Sequence, residues 1–268
     1  MTDSPYTVAL KGKNFCFTVD DNIRFLKELN ESPYSDIFCH PYLDMYRRMH
    51  EKYGMKIQLN LFYEMKDFNL SQMTDKYRDE WLANADWLKL SFHSRVENVS
   101  PYLSSGYGEV FEDCQKVHRE IVRFASPSSL ARTTTIHYCL ATKEGLSALK
   151  DNGVQGLLGL YGSHASPSSS YQSTSAECVF IRDGQAVLSD GMMYSGIDIV
   201  LNCHSEDEIL SRLNGLTDRD LIKVMIHEQY FYSDYRKYQP NFEKKLQITF
   251  DFLKKNGYDS IFFEDMLP

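Results

Sequence analysis

Two adjacent acids, Asp20 and Asp21, close an apolar run that spans residues 15–19. Such a run is typical of a strand buried on both faces, and parallel sheets place their ligand sites at the carboxyl ends of these strands. Neighbouring carboxylates can divide the chemistry, because one can bind a cation while the other takes a proton from water. The structural alternative is that one acid caps a helix beginning at Asn22 and Ile23.

Five of the eight histidines lie within or directly after strand-like runs: His93, His137, His164, His204 and His227. If the strands are parallel, His93, His204 and His227 end on the same rim as the two acids. A single buried histidine is more often a hydrogen-bonded core residue than a ligand. Several on one rim favour a metal or acid–base site, because imidazole serves both tasks at neutral pH.

The segment from His93 to Glu97 offers two potential metal ligands four residues apart. They face the same way if the chain turns helical after the strand, and together they could hold one divalent cation. Ser94 and Glu97 also match a capping box, which needs no metal. That alternative leaves His93 unexplained.

A third segment places His227 where an apolar run ends, followed directly by Glu228. His227 could serve as the general acid that protonates a leaving group, while Asp20 activates water on the opposite side. Alternatively, Glu228 forms an ion pair with a lysine or arginine. The aromatic residues between Tyr230 and Tyr238 could pack a loop or contact the apolar face of a sugar ring.

Short apolar runs alternate with amphipathic stretches, a pattern that predicts successive βα units. The predicted strands span residues 15–19, 56–63, 87–92, 133–140, 156–161, 197–203, 223–226 and 260–263. The predicted helices span residues 42–53, 75–85, 110–124, 143–152, 206–213 and 242–256. Eight strands fit a closed barrel within a single domain, residues 1–268. Runs on either side of Asp183-Gly184 predict a hairpin insertion at about residues 163–192.

The composition limits the partners. The 268 residues have a formal net charge of -8 and no clustered basic run, so we expect no nucleic acid partner. The chain begins without a basic segment, and no stretch approaches the roughly 20 apolar residues that span a bilayer. We therefore expect a cytoplasmic protein without membrane contact. Six scattered cysteines with no Cys-x-x-Cys pair indicate neither a disulfide framework nor a thiolate zinc site.

Three motifs, in order, resemble those of the polysaccharide deacetylase superfamily (NodB-like, carbohydrate esterase family 4) between about residues 15 and 265. The segment Thr18-Val19-Asp20-Asp21-Asn22 resembles T-F-D-D-G, and His93-Ser94-x-x-Glu97 is similar to H-S/T-x-x-H. The segment Met225-Ile226-His227 is similar to L-x-H. Two landmarks of the family are missing: there is no R-P-P-x-G after the fourth strand and no Asp-Trp after the fifth.

The resemblance implies an α/β fold, a deformed (β/α)7-8 (TIM-like) barrel, and metal-dependent hydrolysis of an N-acetyl or related amide. It assigns Asp20 as the general base, Asp21 and His93 as metal ligands, and His227 as the acid. The third ligand falls on Glu97, where the family usually has histidine; a second carboxylate is chemically tolerable but makes the metal a weaker Lewis acid. The expected cofactor is a divalent metal, zinc first, with nickel, cobalt, manganese or iron as alternatives. Further candidates for substrate binding are His137, His204, Glu228 and Tyr230.

The sequence thus predicts a deacetylase-like hydrolase of carbon–nitrogen bonds acting on an N-acylated sugar or related small amide. A small-molecule or oligosaccharide substrate is expected. One alternative is a non-sugar amide or cyclic-amide hydrolase on the same barrel, including a metal-free one. A second is a catalytically silent carbohydrate-binding barrel. A third is a glycosidase that pairs Asp21 with Glu228 or Glu264.

Overall fold

The structure, a computed structural model, describes Val8 and residues 11–97, 102–162 and 170–268. The strands are β1 (Asn14–Asn22), β2 (Ile57–Phe62), β3 (Glu64–Met65), β4 (Phe68–Asn69), β5 (Leu88–Ser94), β6 (Thr133–Thr134), β7 (Gly156–Gly159), β8 (Val187–Ser189), β9 (Met192–Gly196), β10 (Ile199–Val200), β11 (Leu221–His227) and β12 (Asp259–Ser260). The α-helices are α1 (Arg24–Glu31), α2 (Pro41–Tyr53), α3 (Arg78–Ala83), α4 (Tyr107–Phe124), α5 (Lys143–Asp151), α6 (Ser175–Arg182), α7 (Glu206–Asn214) and α8 (Phe242–Lys255).

Parallel strands form a deformed barrel. One sheet has the order β10-β11-β1-β2-β5, and a second has the order β6-β7-β9 with β8 antiparallel at its edge. Two features join the sheets. The chain passes from β9 into β10 through two residues, and a bridge pairs Leu90 with Leu130 between β5 and the segment before β6. The predicted α/β class and deformed (β/α)7-8 barrel are confirmed.

The core lies between the strands and the surrounding helices. Helix α8 buries Leu246, Phe250 and Leu253, which lie on one face because of their spacing. The ring of Phe250 contacts Phe17 edge-on at 5.2 Å and stacks on Phe15 at 6.0 Å. Each large apolar side chain buried in this way contributes about 1.5–3 kcal/mol. This packing holds β1, the strand that ends in the two acids, at the centre of the sheet.

The hairpin predicted at Asp183-Gly184 is wrong. Residues 175–182 form helix α6, and Gly184 follows the helix end with φ of 90°. The hairpin lies further along the chain, between β8 and β9, where Asp190 and Gly191 both have positive φ. A second Asp-Gly pair therefore makes the turn, as the hairpin preference of this dipeptide allows.

Three predicted strands are much shorter than expected. The run at residues 133–140 pairs as a strand only over Thr133–Thr134, and the run at 197–203 only over Ile199–Val200. At the run predicted over 260–263, only Asp259–Ser260 pair with a neighbouring strand. Residues 137–139 form a 3-10 turn instead. No helix within the described ranges has the length and apolar character that crossing a membrane requires.

Candidate metal centre and acid–base pair

Strand β1 delivers its two acids to one rim of the barrel. Asp20 is in register with His227 of β11, and both residues stand at the carboxyl ends of their strands. The pairing of β1 with β2 shifts register between Val19 and Asn22, and Asp21 has a left-handed backbone with φ of 63°. An irregularity of this kind re-aims a side chain, and the left-handed conformation costs about 1–2 kcal/mol outside glycine. The strained backbone of Asp21 thus lies at the candidate site, and strained residues in proteins cluster at functional sites.

Three side chains converge on one point beside this rim. Asp21 Oδ1 lies 3.0 Å from His93 Nε2 and 3.3 Å from His137 Nδ1. The two ring nitrogens are 3.2 Å apart. One carboxylate oxygen and two imidazole nitrogens, all within 4.8 Å of one another, are a ligand set that zinc and related divalent metals accept.

The hydrogen bonds of His93 fit a bound cation. Its Nδ1 faces the carbonyl oxygen of Thr135, which can only accept, so this nitrogen carries the proton. When the ring is neutral, Nε2 presents its lone pair to Asp21 Oδ1, and when the ring is protonated, Nε2 donates to that oxygen. Two acceptors 3.0 Å apart repel unless a proton or a cation lies between them. This pattern, a ligating histidine whose other nitrogen donates to a carbonyl, is typical of metal sites.

The contacts within the cluster shift the pKa values of Asp21 and His93. Burial by itself raises the pKa of Asp21, but hydrogen bonds with His137 and His93 outweigh it and hold that pKa well below its usual range. Burial lowers the pKa of His93, but the nearby charges of Asp20 and Asp21 outweigh it, and the net shift is upward. Asp21 is therefore ionised, and a positive charge on His93 is favoured.

His137 reaches the centre because the chain leaves β6 early. Tyr138 and Cys139, the next two residues, both have left-handed backbones, with φ of 61° and 56°. His137 points inward to Asp21, whereas Tyr138 is 53% exposed beside it. The Nε2 atom of His137 is buried without a hydrogen-bond partner among the described residues, as is the Thr135 hydroxyl. Buried orphan atoms of this kind mark sites for water or ligands.

Glu97 does not join the group of three ligand atoms. A ligand pair four residues apart requires a helix after His93, but the chain bends at residues 95 and 96 and turns at Glu97. The Ser94 hydroxyl donates to the carbonyl of Val96 at 3.3 Å. Glu97 is exposed and lines the same cavity as Asp21. Burial of part of its carboxyl and the charge of Asp21 raise the pKa of Glu97.

Asp20 is held by a buried chain of carboxamides. Asn60 Nδ2 donates to Asp20 Oδ1 at 2.7 Å, and Gln58 Nε2 donates to Asn60 Oδ1 at 2.8 Å. The Thr133 hydroxyl donates in turn to Gln58 Oε1 at 3.1 Å. Because a carboxylate only accepts, the direction of the chain is fixed. Burial raises the pKa of Asp20, which suits a group that takes up a proton.

His227 has one fixed tautomer. Asn202 Oδ1 accepts the backbone N–H of His227 at 3.2 Å and lies 2.8 Å from its ring Nδ1. The same oxygen can only accept, so Nδ1 carries the proton and Nε2 is the atom free for proton transfer. The ring also contacts Tyr230, with centroids 6.3 Å apart. Tyr230 therefore lies beside His227.

Glu228 caps a helix. Its carboxylate accepts the backbone N–H groups of Ile23 at 2.8 Å, Arg24 at 3.0 Å and Phe25 at 2.8 Å, at the start of α1. Ile23, the N-cap residue, makes no side-chain cap of its own. The helix after Asp20-Asp21 is thus capped by Glu228, the residue that follows β11, and not by either acid. Both oxygens of Glu228 are occupied, and burial raises its pKa to about 7.

The remaining candidates either lie apart from the Asp21-His93-His137 cluster or fall outside the described residues. His204 follows a 3-10 turn, and burial with the charge of Arg212 lowers its pKa. Glu264 is bonded to Lys89 and to the backbone of Arg132, near the amino ends of β5 and β6, at the opposite rim from Asp21. His164 lies outside the described residues.

One residue that contacts the cluster was absent from the sequence-based candidates. Gln229 Nε2 donates to Asp21 Oδ2 at 2.6 Å, and its Oε1 has no partner among the described residues. A cavity of about 740 Å³ opens onto Asp21 and is lined also by Gln229, Glu97, Phe62 and Tyr235. Its volume is in the range of small-molecule sites. The sequence signal for Gln229 was only its position two residues after His227.

The fold is that of a deformed deacetylase-type barrel with an Asp-His-His cluster and an Asp–His pair at its carboxyl rim. The resemblance to polysaccharide deacetylases is confirmed at the level of the fold. No family model matches the chain, and no curated protein matches it in sequence.

The solved structures that are similar to this chain include a glucanotransferase and a deacetylase. A 4-α-glucanotransferase from Thermococcus litoralis superposes with a TM-score of 0.62 at 15% identity, over 96% of this chain. This chain spans only 40% of the length of that protein. A peptidoglycan N-acetylglucosamine deacetylase superposes with a TM-score of 0.54 at 12% identity, over 98% of this chain and 91% of its own.

Proposed function

We propose that this protein is a metal-dependent hydrolase of carbon–nitrogen bonds that removes an acyl group from an N-acylated sugar or a related small amide. The observation that supports this most directly is the convergence of Asp21 Oδ1, His93 Nε2 and His137 Nδ1 next to an Asp20–His227 pair. A cation site and an acid–base pair on one rim are the parts that amide hydrolysis needs.

The ligand set is proposed to be Asp21, His93 and His137, with a divalent ion such as zinc. When bound, such an ion supplies Lewis acidity and lowers the pKa of a coordinated water. Asp20 accepts a proton from the attacking water, since burial raises its pKa and Asn60 orients its carboxylate. His227 donates a proton from Nε2 to the departing nitrogen, a step that requires Nε2 to be protonated as well as Nδ1, while Asn202 accepts from Nδ1 and holds the ring.

The cavity supports a small or oligomeric substrate. Its lining combines carboxylates and a carboxamide with the side chains of Phe62, Met65 and Tyr235. Polar groups fix the orientation of a ligand, while apolar walls contribute burial. An acylated amino sugar has both kinds of surface.

The test measures metal content and acetate release together. Protein purified without added metal is analysed by elemental mass spectrometry and assayed with N-acetylglucosamine oligomers and with N-acetylated non-sugar amines. We expect one equivalent of metal, acetate release, and loss of that release on the order of 10²–10⁴-fold in Asp20→Asn with the metal retained.

The other outcomes separate the alternatives. Acetate from the non-sugar amines alone would indicate an amide hydrolase with a different substrate class. Saturable binding of the oligomers without acetate would indicate a silent carbohydrate-binding barrel. Folded wild type that neither contains nor takes up zinc, cobalt or manganese would overturn the proposal.

A further inference from the structure

Gln229 lies against the oxygen of Asp21 that does not face the two histidines. Its Nε2 is 2.6 Å from Asp21 Oδ2, whereas Oδ1 is 3.0 Å from His93 and 3.3 Å from His137. The carboxylate is therefore divided: one oxygen faces the cluster, and the other accepts a hydrogen bond from a carboxamide.

The orientation of this carboxamide is unambiguous. Asp21 Oδ2 can only accept, so the Gln229 atom that faces it is the nitrogen, and Oε1 points away. Hydrogen bonds from a neutral donor to a charged acceptor are short and strong. At 2.6 Å, this contact restrains rotation of the Asp21 carboxylate about its last side-chain bond.

The neighbouring residue fixes the backbone on the other side of Asp21. Glu228 binds the N–H groups of Ile23, Arg24 and Phe25, so that its carboxylate anchors the chain two residues beyond the left-handed Asp21. Glu228 is 1% exposed. Two consecutive side chains after β11 thus hold the strained segment around Asp21. Gln229 binds the Asp21 side chain, and Glu228 binds the backbone that follows it.

We infer that Gln229 is a positioning residue for the metal centre: it occupies Asp21 Oδ2 so that only Oδ1 is presented to the cation. This inference rests on the proposed metal site. Partners that orient a metal ligand typically change metal affinity 10–100-fold when removed. A restrained carboxylate also loses less conformational freedom on binding, which strengthens the site.

The test is the zinc affinity of Gln229→Met, measured by isothermal titration of the metal-free protein. Met has a similar length and no donor, so we expect affinity on the order of 10–100-fold weaker than that of wild type. Gln247→Met is the matched control, because Gln247 Nε2 also donates to a carboxylate, Glu243 Oε1, but on helix α8. Its zinc affinity should equal that of wild type.

A second variant tests whether the length of the Gln229 side chain matters as well as its hydrogen-bond donor. Gln229→Asn keeps the carboxamide but is one methylene shorter, so it should bind zinc as weakly as Gln229→Met. Circular dichroism and a thermal melt of each metal-free variant show whether the fold is retained. Wild-type affinity in both Gln229 variants, with wild type itself binding zinc, would overturn this inference and leave the proposed metal site intact. A wild type that binds no zinc would overturn the proposed function, and this inference with it.

Discussion

His93 Nε2 and His137 Nδ1 lie 3.2 Å apart although 43 residues separate them in the chain and they leave different strands. Both rings also contact Phe62, with centroids 5.2 Å and 5.0 Å away. Phe62 therefore packs against both rings while their nitrogens face Asp21. The relationship supports His137, a residue outside the H-S/T-x-x-H-like motif, as the third ligand of the proposed metal site.

The first prediction concerns this ligand set. His137→Ala should reduce bound metal as strongly as His93→Ala, by on the order of 100-fold in affinity or more, because each removes a direct ligand. Glu97→Gln should change affinity less than about threefold, since Glu97 is outside the cluster. Metal content by elemental mass spectrometry and zinc titration check this. Loss of metal in Glu97→Gln with retention in His137→Ala would restore the motif-based assignment.

The second prediction concerns pH. Burial lowers the pKa of His93, but Asp20 and Asp21 outweigh it and raise that pKa above its ordinary value. A cation binds only the unprotonated nitrogen, so protons compete with it. Zinc affinity should fall as pH falls through the raised pKa, by up to about tenfold per pH unit, and level off above it.

Titrations between about pH 5 and pH 8 in two buffers of different ionisation enthalpy would count the protons released. His204→Ala is the control, because His204 lies outside the cluster and its removal should leave the pH dependence unchanged. A zinc affinity that is flat across this range would contradict the prediction.

The third prediction concerns the orientation of His227. Asn202→Ala removes the acceptor of the ring Nδ1 and should lower kcat on the order of 100-fold, because a misplaced proton donor is a poor catalyst. KM and zinc affinity should remain near wild type, which a general loss of structure would not allow. Asn214→Ala, on the exposed end of α7, is the matched control. An unchanged kcat would show that His227 needs no orienting partner.

The fourth prediction concerns stability. Glu228→Ala leaves three N–H groups at the start of α1 without their acceptor and should lower the free energy of unfolding by about 2–4 kcal/mol. Glu208→Ala, which removes a capping-box partner at the exposed start of α7, should cost about 0.5–1 kcal/mol. Urea unfolding of both variants measures the difference. An equal loss of unfolding free energy in the two variants would mean that the buried cap formed by Glu228 stabilises its helix no more than the exposed cap of α7 does.

The amino-acid sequence alone determined which groups stand at strand ends. The apolar run before Asp20-Asp21 and the run before His227 predict strands, and strand periodicity is a local property that a short segment encodes. Residues 20, 93 and 227 accordingly lie within two residues of the carboxyl ends of their strands, on one rim. The order of βα units predicted the barrel class for the same reason.

Only the tertiary structure decided which of these groups meet. Glu97 required a helix that the chain does not form, whereas His137 required β6 to end after two residues and the backbone to adopt two left-handed conformations. The contacts of Gln229 and Glu228 with residues 21–25 join parts of the chain more than 200 positions apart. Such convergence depends on register, strain and packing over the whole barrel, to within about an ångström, and no local pattern records it.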